Sequence, residues 1–363
     1  MHTGRVVSHT IKEELRMPTS SLSSLEESLD EEGMCEFTRS FVDDLEAAMC
    51  MKIDLSPDSD WTGVLFLGMG GSGSSGRFLK TISDEEGGLP FVVWTDYGLP
   101  NWWGPDWLII ATSYSGNTEE TLDGVKEALE SGGTVIGISS GGRMPEVLGA
   151  YQGTMHISIP SGQMPRSAFG HILGSQLAVC WSLGILNRPS EEEIIRMISR
   201  LRESSKKLDF VGGSGMSETL SRNLVDMEIG IVCPSILEAP AYRLTCQINE
   251  NSEAFAKYSV VPEMNHNEIV AWYNESKIDR ALIIMLCEGM DDRTDSRISW
   301  MEENLDRKNV WEIFCEGGTL LERMVYAAHL SDWVSISLAL IRGVNPTSMD
   351  PIPELKKHLS DIQ

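Results

Sequence analysis

Trp107-Leu-Ile-Ile-Ala111 runs straight into Thr112-Ser-Tyr-Ser-Gly-Asn-Thr-Glu-Glu-Thr121, and the fold turns on how this stretch is read. A short continuous apolar run gives way to a loop of bunched hydroxyls, with Gly116 allowing a tight backbone and Thr118 near a helix start. The same order of parts stands upstream, where Gly63-Val-Leu-Phe-Leu67 leads into Gly68-Met-Gly-Gly-Ser-Gly73. Further outward lie Phe91-Val-Val-Trp94, Thr134-Val-Ile-Gly-Ile138 and Met155-His-Ile-Ser-Ile159. Apolar runs separated by helix-length spacers predict an α/β unit whose parallel sheet is covered on both faces. A long apolar helix, about His171–Leu186, closes it.

Asn187-Arg-Pro-Ser190 followed by three glutamates has the turn chemistry and acidic first turn of a helix start, and marks a linker. Beyond it the alternation resumes, with strands expected at Ile229-Gly-Ile-Val-Cys233, Ala281-Leu-Ile-Ile-Met-Leu286 and Val310-Trp-Glu-Ile-Phe314. Ahead of the first unit, residues 1–56 read as helical and acidic, ending in breakers at Ser56–Asp60. A chain of 363 residues is long enough for two domains. The expected division is a helical segment 1–56, domains over 57–188 and 189–345, and a C-terminal segment 346–363.

Composition narrows the function. Hydrophobic residues make up 41% and charged residues 23%, which is globular. A formal net charge of −25 argues against nucleic acid as the main partner, because phosphate-backbone binding needs basic surface. It leaves open a small anion in a local pocket. The runs Leu177–Leu186 and Val334–Ile341 fall short of the ~20 apolar residues a bilayer requires, so no membrane span is expected. The N-terminus carries no secretory hydrophobic stretch. Seven scattered cysteines without a CxxC pair fit reduced thiols in a cytoplasmic protein, with neither a disulfide framework nor a zinc site. No metal ligand pattern is present.

Gly68-Met-Gly-Gly-Ser-Gly73 formally satisfies GxGxxG, and Asp96 at the end of the next strand stands where a dinucleotide domain holds a ribose. A structural glycine turn is a second reading. A third is a phosphate site built from Gly71, Ser72 and the following helix N-terminus, whose amides and dipole favour an anion. No Lys-Ser/Thr follows, which removes the Walker loop. The second loop separates these readings. Ser113, Ser115 and Thr118 can converge on the acceptor oxygens of a terminal phosphate monoester, whereas the bland alternative is an ordinary Ser/Thr N-cap. Two such loops on neighbouring strand ends favour the phosphate.

The Ser113–Thr121 stretch resembles the phosphosugar loop of the sugar isomerase (SIS) family. With Gly68–Ser72, Pro165-Arg-Ser-Ala-Phe-Gly170, Asn249-Glu-Asn251, Pro262-Glu-Met-Asn-His-Asn-Glu268 and Ile352-Pro-Glu-Leu-Lys356, the chain is similar to the bifunctional phosphoglucose/phosphomannose isomerases. The resemblance runs in order from about residue 60 to the C-terminus. It implies two tandem SIS-type doubly wound domains, each a mainly parallel sheet flanked by helices. It also implies interconversion of glucose 6-phosphate and mannose 6-phosphate with fructose 6-phosphate through a cis-enediol.

No redox step occurs in that reaction, so no cofactor is expected, and cationic side chains can take a metal's electrostatic role. By resemblance Glu250 is the base that moves a proton between C2 and C1. His266 opens the ring and reaches the site from the neighbouring subunit of a homodimer. Arg166 stabilises the enediolate with its fixed fork of donors. Lys356, with Lys357 beside it, matches a C-terminal active-site lysine. Thr347 matches a threonine linked to acceptance of both C2 epimers. Glu253 departs from the pattern, since relatives commonly carry a basic residue nearby. Two alternatives remain: a non-catalytic SIS phosphosugar regulator, which would need a basic effector module not found here, and an NAD(P)-binding oxidoreductase.

Overall fold

The computed structural model describes residues 21–54, 60–274, 278–305 and 309–361. Most of the Ser56–Asp60 breaker and the first twenty residues of the helical segment lie outside them. In chain order the elements are α1 (Leu22–Leu29), α2 (Met34–Met49), β1 (Gly63–Leu67), α3 (Gly70–Glu86), β2 (Phe91–Trp94), β3 (Trp107–Thr112), α4 (Glu119–Glu130), β4 (Val135–Ser139), α5 (Met144–Gly149), β5 (Met155–Ser158) and α6 (Phe169–Ser182). There follow α7 (Glu191–Leu208), α8 (Met216–Leu224), β6 (Glu228–Pro234), α9 (Glu238–Ser252), β7 (Ala256–Val261), α10 (Ile269–Tyr273), β8 (Arg280–Leu286), α11 (Asp292–Asn304), β9 (Val310–Phe314), α12 (Leu320–Arg342) and α13 (Pro351–Ser360). The chain divides into two compact units, one of residues 37–205 with 316–327, the other of residues up to 36 with 206–315 and 328 onward.

The first unit is built on a parallel sheet of order β2-β1-β3-β4-β5. Period-two alternation sends Leu65 and Leu67 to one face, where they meet Ile109, Leu122, Val125 and Met144. Phe66 goes to the other, against the Phe91 ring at 5.4 Å. Phe78 and Phe41 both pack on Phe169 of α6. Both faces are therefore buried, as continuous apolar strands require. The helix expected over His171–Leu186 begins two residues earlier and stops at Ser182, because Gly184 turns left-handed at φ +66° and lets Ile185 N–H return to Cys180 O at 3.0 Å. The expected start at Glu191 is a capping box: Ser190 N–H donates to Glu193 at 2.8 Å, and Glu193 N–H to the Ser190 hydroxyl at 3.3 Å.

The second unit carries a parallel sheet of order β7-β6-β8-β9. Val232, Leu282, Ile284, Ile298 and Met301 form the core on one face. Strand β7 has no counterpart among the strands expected from the sequence. It lies at the sheet edge and carries Lys257, Tyr258 and Ser259, so it lacks a continuous apolar run. Helix α12 is long and apolar enough by composition to cross a bilayer, yet its most apolar window is wholly buried in the protein, which makes it a core helix.

All seven cysteines are free thiols. Cys35, Cys180, Cys233, Cys287 and Cys315 are buried, Cys246 is partly covered and Cys50 is exposed. Burial pushes the thiols of Cys180, Cys233 and Cys315 well above their ordinary range, and the thiolate is the reactive form. A thiol reagent added to native protein is expected to label Cys50 rapidly and Cys246 slowly, and to reach the five buried thiols only on unfolding. Mass-spectrometric mapping checks this; prompt native labelling at Cys180 or Cys233 would contradict the packing.

Candidate active site: anchored loops and a glutamate between two asparagines

In the first unit the order β2-β1-β3 places a topological switch point between β1 and β3, where open α/β sheets bind ligands beyond their strand ends. The glycine loop and the hydroxyl loop flank that crevice. They are tied together: Tyr114 N–H donates to the Ser72 hydroxyl at 3.1 Å. Ser113 and Thr118 hydroxyls lie 2.8 Å apart, and Thr118 N–H donates to Ser113 Oγ at 3.3 Å. Thr118 does sit at the N-cap of α4, but its side chain makes no cap bond to that helix, so the ordinary N-cap reading does not hold. Met69 likewise gives α3 no side-chain cap. The first turns of both helices are thus left without a side-chain cap, as at helix starts that receive an anion.

Ser115 is exposed at the loop tip, where its hydroxyl accepts from Asn117 N–H at 3.3 Å. Gly116 is left-handed at φ +67°, and a Cβ there would fall 1.8 Å from the Gly141 carbonyl, so the position admits only glycine. Arg143 and Met144 N–H both donate to the Gly116 carbonyl. The loop after β5 is the third member. A Cβ on Gly71 would meet Arg166 Cα at 3.0 Å, so the Pro165–Arg166 backbone lies directly against the glycine loop. Arg166 is only 1% exposed, which rules out an ordinary surface arginine.

Tyr114, not singled out from the sequence, is the knot of this arrangement. Its carbonyl accepts from Ser140 N–H at 2.9 Å and from the Ser140 hydroxyl at 2.7 Å. Its phenol oxygen accepts from Gln163 N–H at 2.9 Å, three residues before Arg166. Burial pushes that phenol's pKa up, keeping it neutral. An aromatic between two serines gives no hint of this role in the sequence.

In the second unit Glu250 lies near the end of α9, and the asparagines on either side are anchors. Asn249 Oδ1 accepts from Ala256 N–H at 2.7 Å, pinning it to the first residue of β7. Asn251 is fully buried and donates to the Ser335 hydroxyl at 2.9 Å. The departure at Glu253 also has an account. That residue is the left-handed C-cap of α9, at φ +51°, and the positive charge at this helix end comes from Arg342, which donates to Ser252 O at 2.9 Å.

His266 is exposed, at the end of the short 3-10 turn Glu263–His266 that follows β7. Its neighbours shape the turn: Asn267 donates to Glu263 at 2.9 Å, Met264 is buried, and the Glu268 carboxylate accepts from Trp272 Nε1 at 2.8 Å. Glu250 and His266 therefore stand at opposite ends of β7. Five residue steps at ~3.3 Å each put roughly 16 Å between those ends.

Lys356 and Lys357 are both exposed on α13. Thr347 is buried, its hydroxyl engaged with the Glu32 carboxylate and with Asn345 Oδ1 at 2.6 Å. Hydrogen bonds from Thr347 and Asn345 hold the Glu32 carboxyl below the usual range. Among the described residues Glu26, Asp30 and Cys35 cluster closely enough to hold an ion, but both Asp30 oxygens accept from the first turn of α2, at 2.7 and 2.8 Å. Asp96 accepts from its neighbour Tyr97 N–H at 2.8 Å. The sheet order is also not that of a dinucleotide fold, in which two mononucleotide halves share six strands.

The SIS domain family matches residues 59–186, and the bacterial phospho-glucose isomerase C-terminal SIS domain family matches residues 215–359. A bifunctional phosphoglucose/phosphomannose isomerase from Aquifex aeolicus (strain VF5) is 32% identical over 311 residues, covering 84% of this chain and 92% of that protein. One from Thermoplasma acidophilum is 31% identical over 309 residues, covering 83% and 90%. Among solved structures, the C-terminal domain of glucosamine-fructose-6-phosphate aminotransferase from Francisella tularensis superposes with a TM-score of 0.62 at 14% identity, covering 87% of this chain and 98% of that one, and shares the fold. With two parallel α/β units, both family matches and relatives above 30% identity along most of its length, the chain belongs to the bifunctional phosphoglucose/phosphomannose isomerase family.

Proposed function

We propose that the protein interconverts fructose 6-phosphate with glucose 6-phosphate and mannose 6-phosphate, moving one proton between C1 and C2 through a cis-enediol. The observation that carries this reading is the pair of hydroxyl loops at the β1/β3 switch point, tied to each other by the Ser72–Tyr114 bond and edged by uncapped helix starts. Such a site suits a phosphate monoester, which is the feature common to all three sugars. Gly71, Ser72, Ser113, Ser115 and Thr118 hold the phosphate through hydroxyls and first-turn amides. Glu250 removes the proton from one carbon and returns it to the other. Arg166 meets the developing enediolate charge. Lys356 adds a second cation, and Thr347 bears on the acceptance of both C2 epimers. Seven free thiols suit a reducing compartment, and we place the activity in the cytoplasm.

His266 acts on the ring oxygen of a neighbouring chain's substrate. The placement of the two residues supports this reading, because β7 runs roughly 16 Å between the helix end that bears Glu250 and the turn that bears His266. The working enzyme is then a homodimer, each site completed by the other protomer's histidine.

Three outcomes test these assignments. In a coupled assay containing EDTA, Glu250→Gln should lower kcat by roughly 10²–10⁴-fold with little change in KM; unchanged turnover removes Glu250 from the mechanism. Ser72→Ala and Thr118→Ala should mainly raise KM, and a pure kcat loss would contradict phosphate holding. Glu250→Gln and His266→Ala chains, each inactive alone, should regain roughly a quarter of wild-type activity when co-expressed, since half of the randomly formed dimers carry one intact site. No recovery would mean that both groups act from one chain.

A further inference from the structure

Helix α9 presents a buried polar ladder to α12 within the second unit. Arg243, Gln247 and Asn251 recur at every fourth residue, hence on one helix face. Each is at least nine-tenths buried. Arg243 Nη2 donates to Asp332 Oδ1 at 2.7 Å, and Gln247 Nε2 donates to the same oxygen at 2.5 Å. One turn further on, Asn251 donates to Ser335 Oγ, which itself donates to the Asp332 carbonyl at 2.9 Å. Arg342 holds the next residue, Ser252, by its carbonyl. Every turn of α9 around Glu250 is thereby fixed to a numbered position on α12.

An apolar contact between two helices tolerates sliding and rotation, and buried ion pairs are often replaceable by apolar side chains without loss of stability. What a directional ladder adds is a unique register, the role for which isolated buried polar groups in helix pairs are best attested. We infer that Asp332 is a positioning residue for the proton-transfer step, setting the rotation and register of α9 and so the place of the Glu250 carboxylate. This rests on the role proposed for Glu250. Reacting groups displaced by about 1 Å lose on the order of 10²-fold in rate, which sets the size of the expected effect.

The test compares wild type, Glu250→Gln, Asp332→Asn and the double variant Arg243→Met/Asp332→Leu. Each is measured for kcat and KM with fructose 6-phosphate, for melting temperature and for thermal protection by that substrate. Asp332→Asn is expected to lose about 10–100-fold in kcat, with KM within about threefold of wild type and substrate protection retained. The double variant removes both charges, so it should melt near wild type while kcat stays low; a role in stability alone would restore kcat together with the melting temperature. Wild-type kcat in folded Asp332→Asn, or in the double variant, overturns the inference. If Asp332→Asn does not fold, the double variant decides. Absence of isomerisation by wild type would instead sink the proposed function, and an inactive Glu250→Gln beside a fully active Asp332→Asn would sink only the positioning role.

Discussion

Because β1 and β3 run parallel and in register from Gly63 opposite Trp107 to Leu67 opposite Ala111, the loops that follow them must leave the sheet side by side. The rest of the geometry at this sheet edge follows from that constraint. Helices α3 and α4 begin at this edge with their amides pointing outward, and the strand order turns at this point, so no connection covers the crevice. Tyr114 and Ser72 tie the two loops together, and Gly116 lets the loop after β4 pack against the second of them. Hydroxyls that would otherwise wander are held before any ligand arrives, which lowers the ordering entropy that binding must supply.

The second unit solves a different problem. A glutamate near the end of a helix is by default mobile and solvated. Here its flanking asparagines are both spent on structure, one on β7 and one on α12, which fixes the backbone on either side of Glu250. The supporting pair Arg243–Asp332 has side chains only 2% and 6% exposed. Breaking such a pair from one side typically destabilises by about 3–5 kcal/mol, although the pair as a whole adds little stability. Burial with the nearby Arg243 charge drives the pKa of His329 down to about 3, so that histidine is neutral at physiological pH and brings no second cation into the network.

Much of this was legible from residue order, and the exceptions have physical causes. The central strands β1, β3, β4, β6 and β8 are apolar runs because they are buried along nearly their whole length. β7 differs in carrying an exposed Lys257 and a partly exposed Ser259 inside the strand, which breaks its apolar run. Helix α6 ends before its apolar stretch does, because Gly184 sits inside that stretch and stops the helix through its backbone alone. The two hydroxyl loops stand out by composition, whereas Glu250 and His266 needed the resemblance of whole motifs, since one carboxylate on a helix and one imidazole in a turn have no signature of their own. Tyr114 and Asp332 were invisible because their meaning lies in partners far away in the chain.

The path of the backbone between the compact units carries a consequence for how the molecule is made. Residues 316–327 belong to the unit otherwise formed by 37–205, and those up to 36 belong to the other. A gene fragment ending anywhere before Ala327 therefore encodes neither unit whole. On the ribosome the first sheet can assemble early, yet its unit waits for a segment synthesised more than a hundred residues later, and closure of that long loop is a slow, late event in folding.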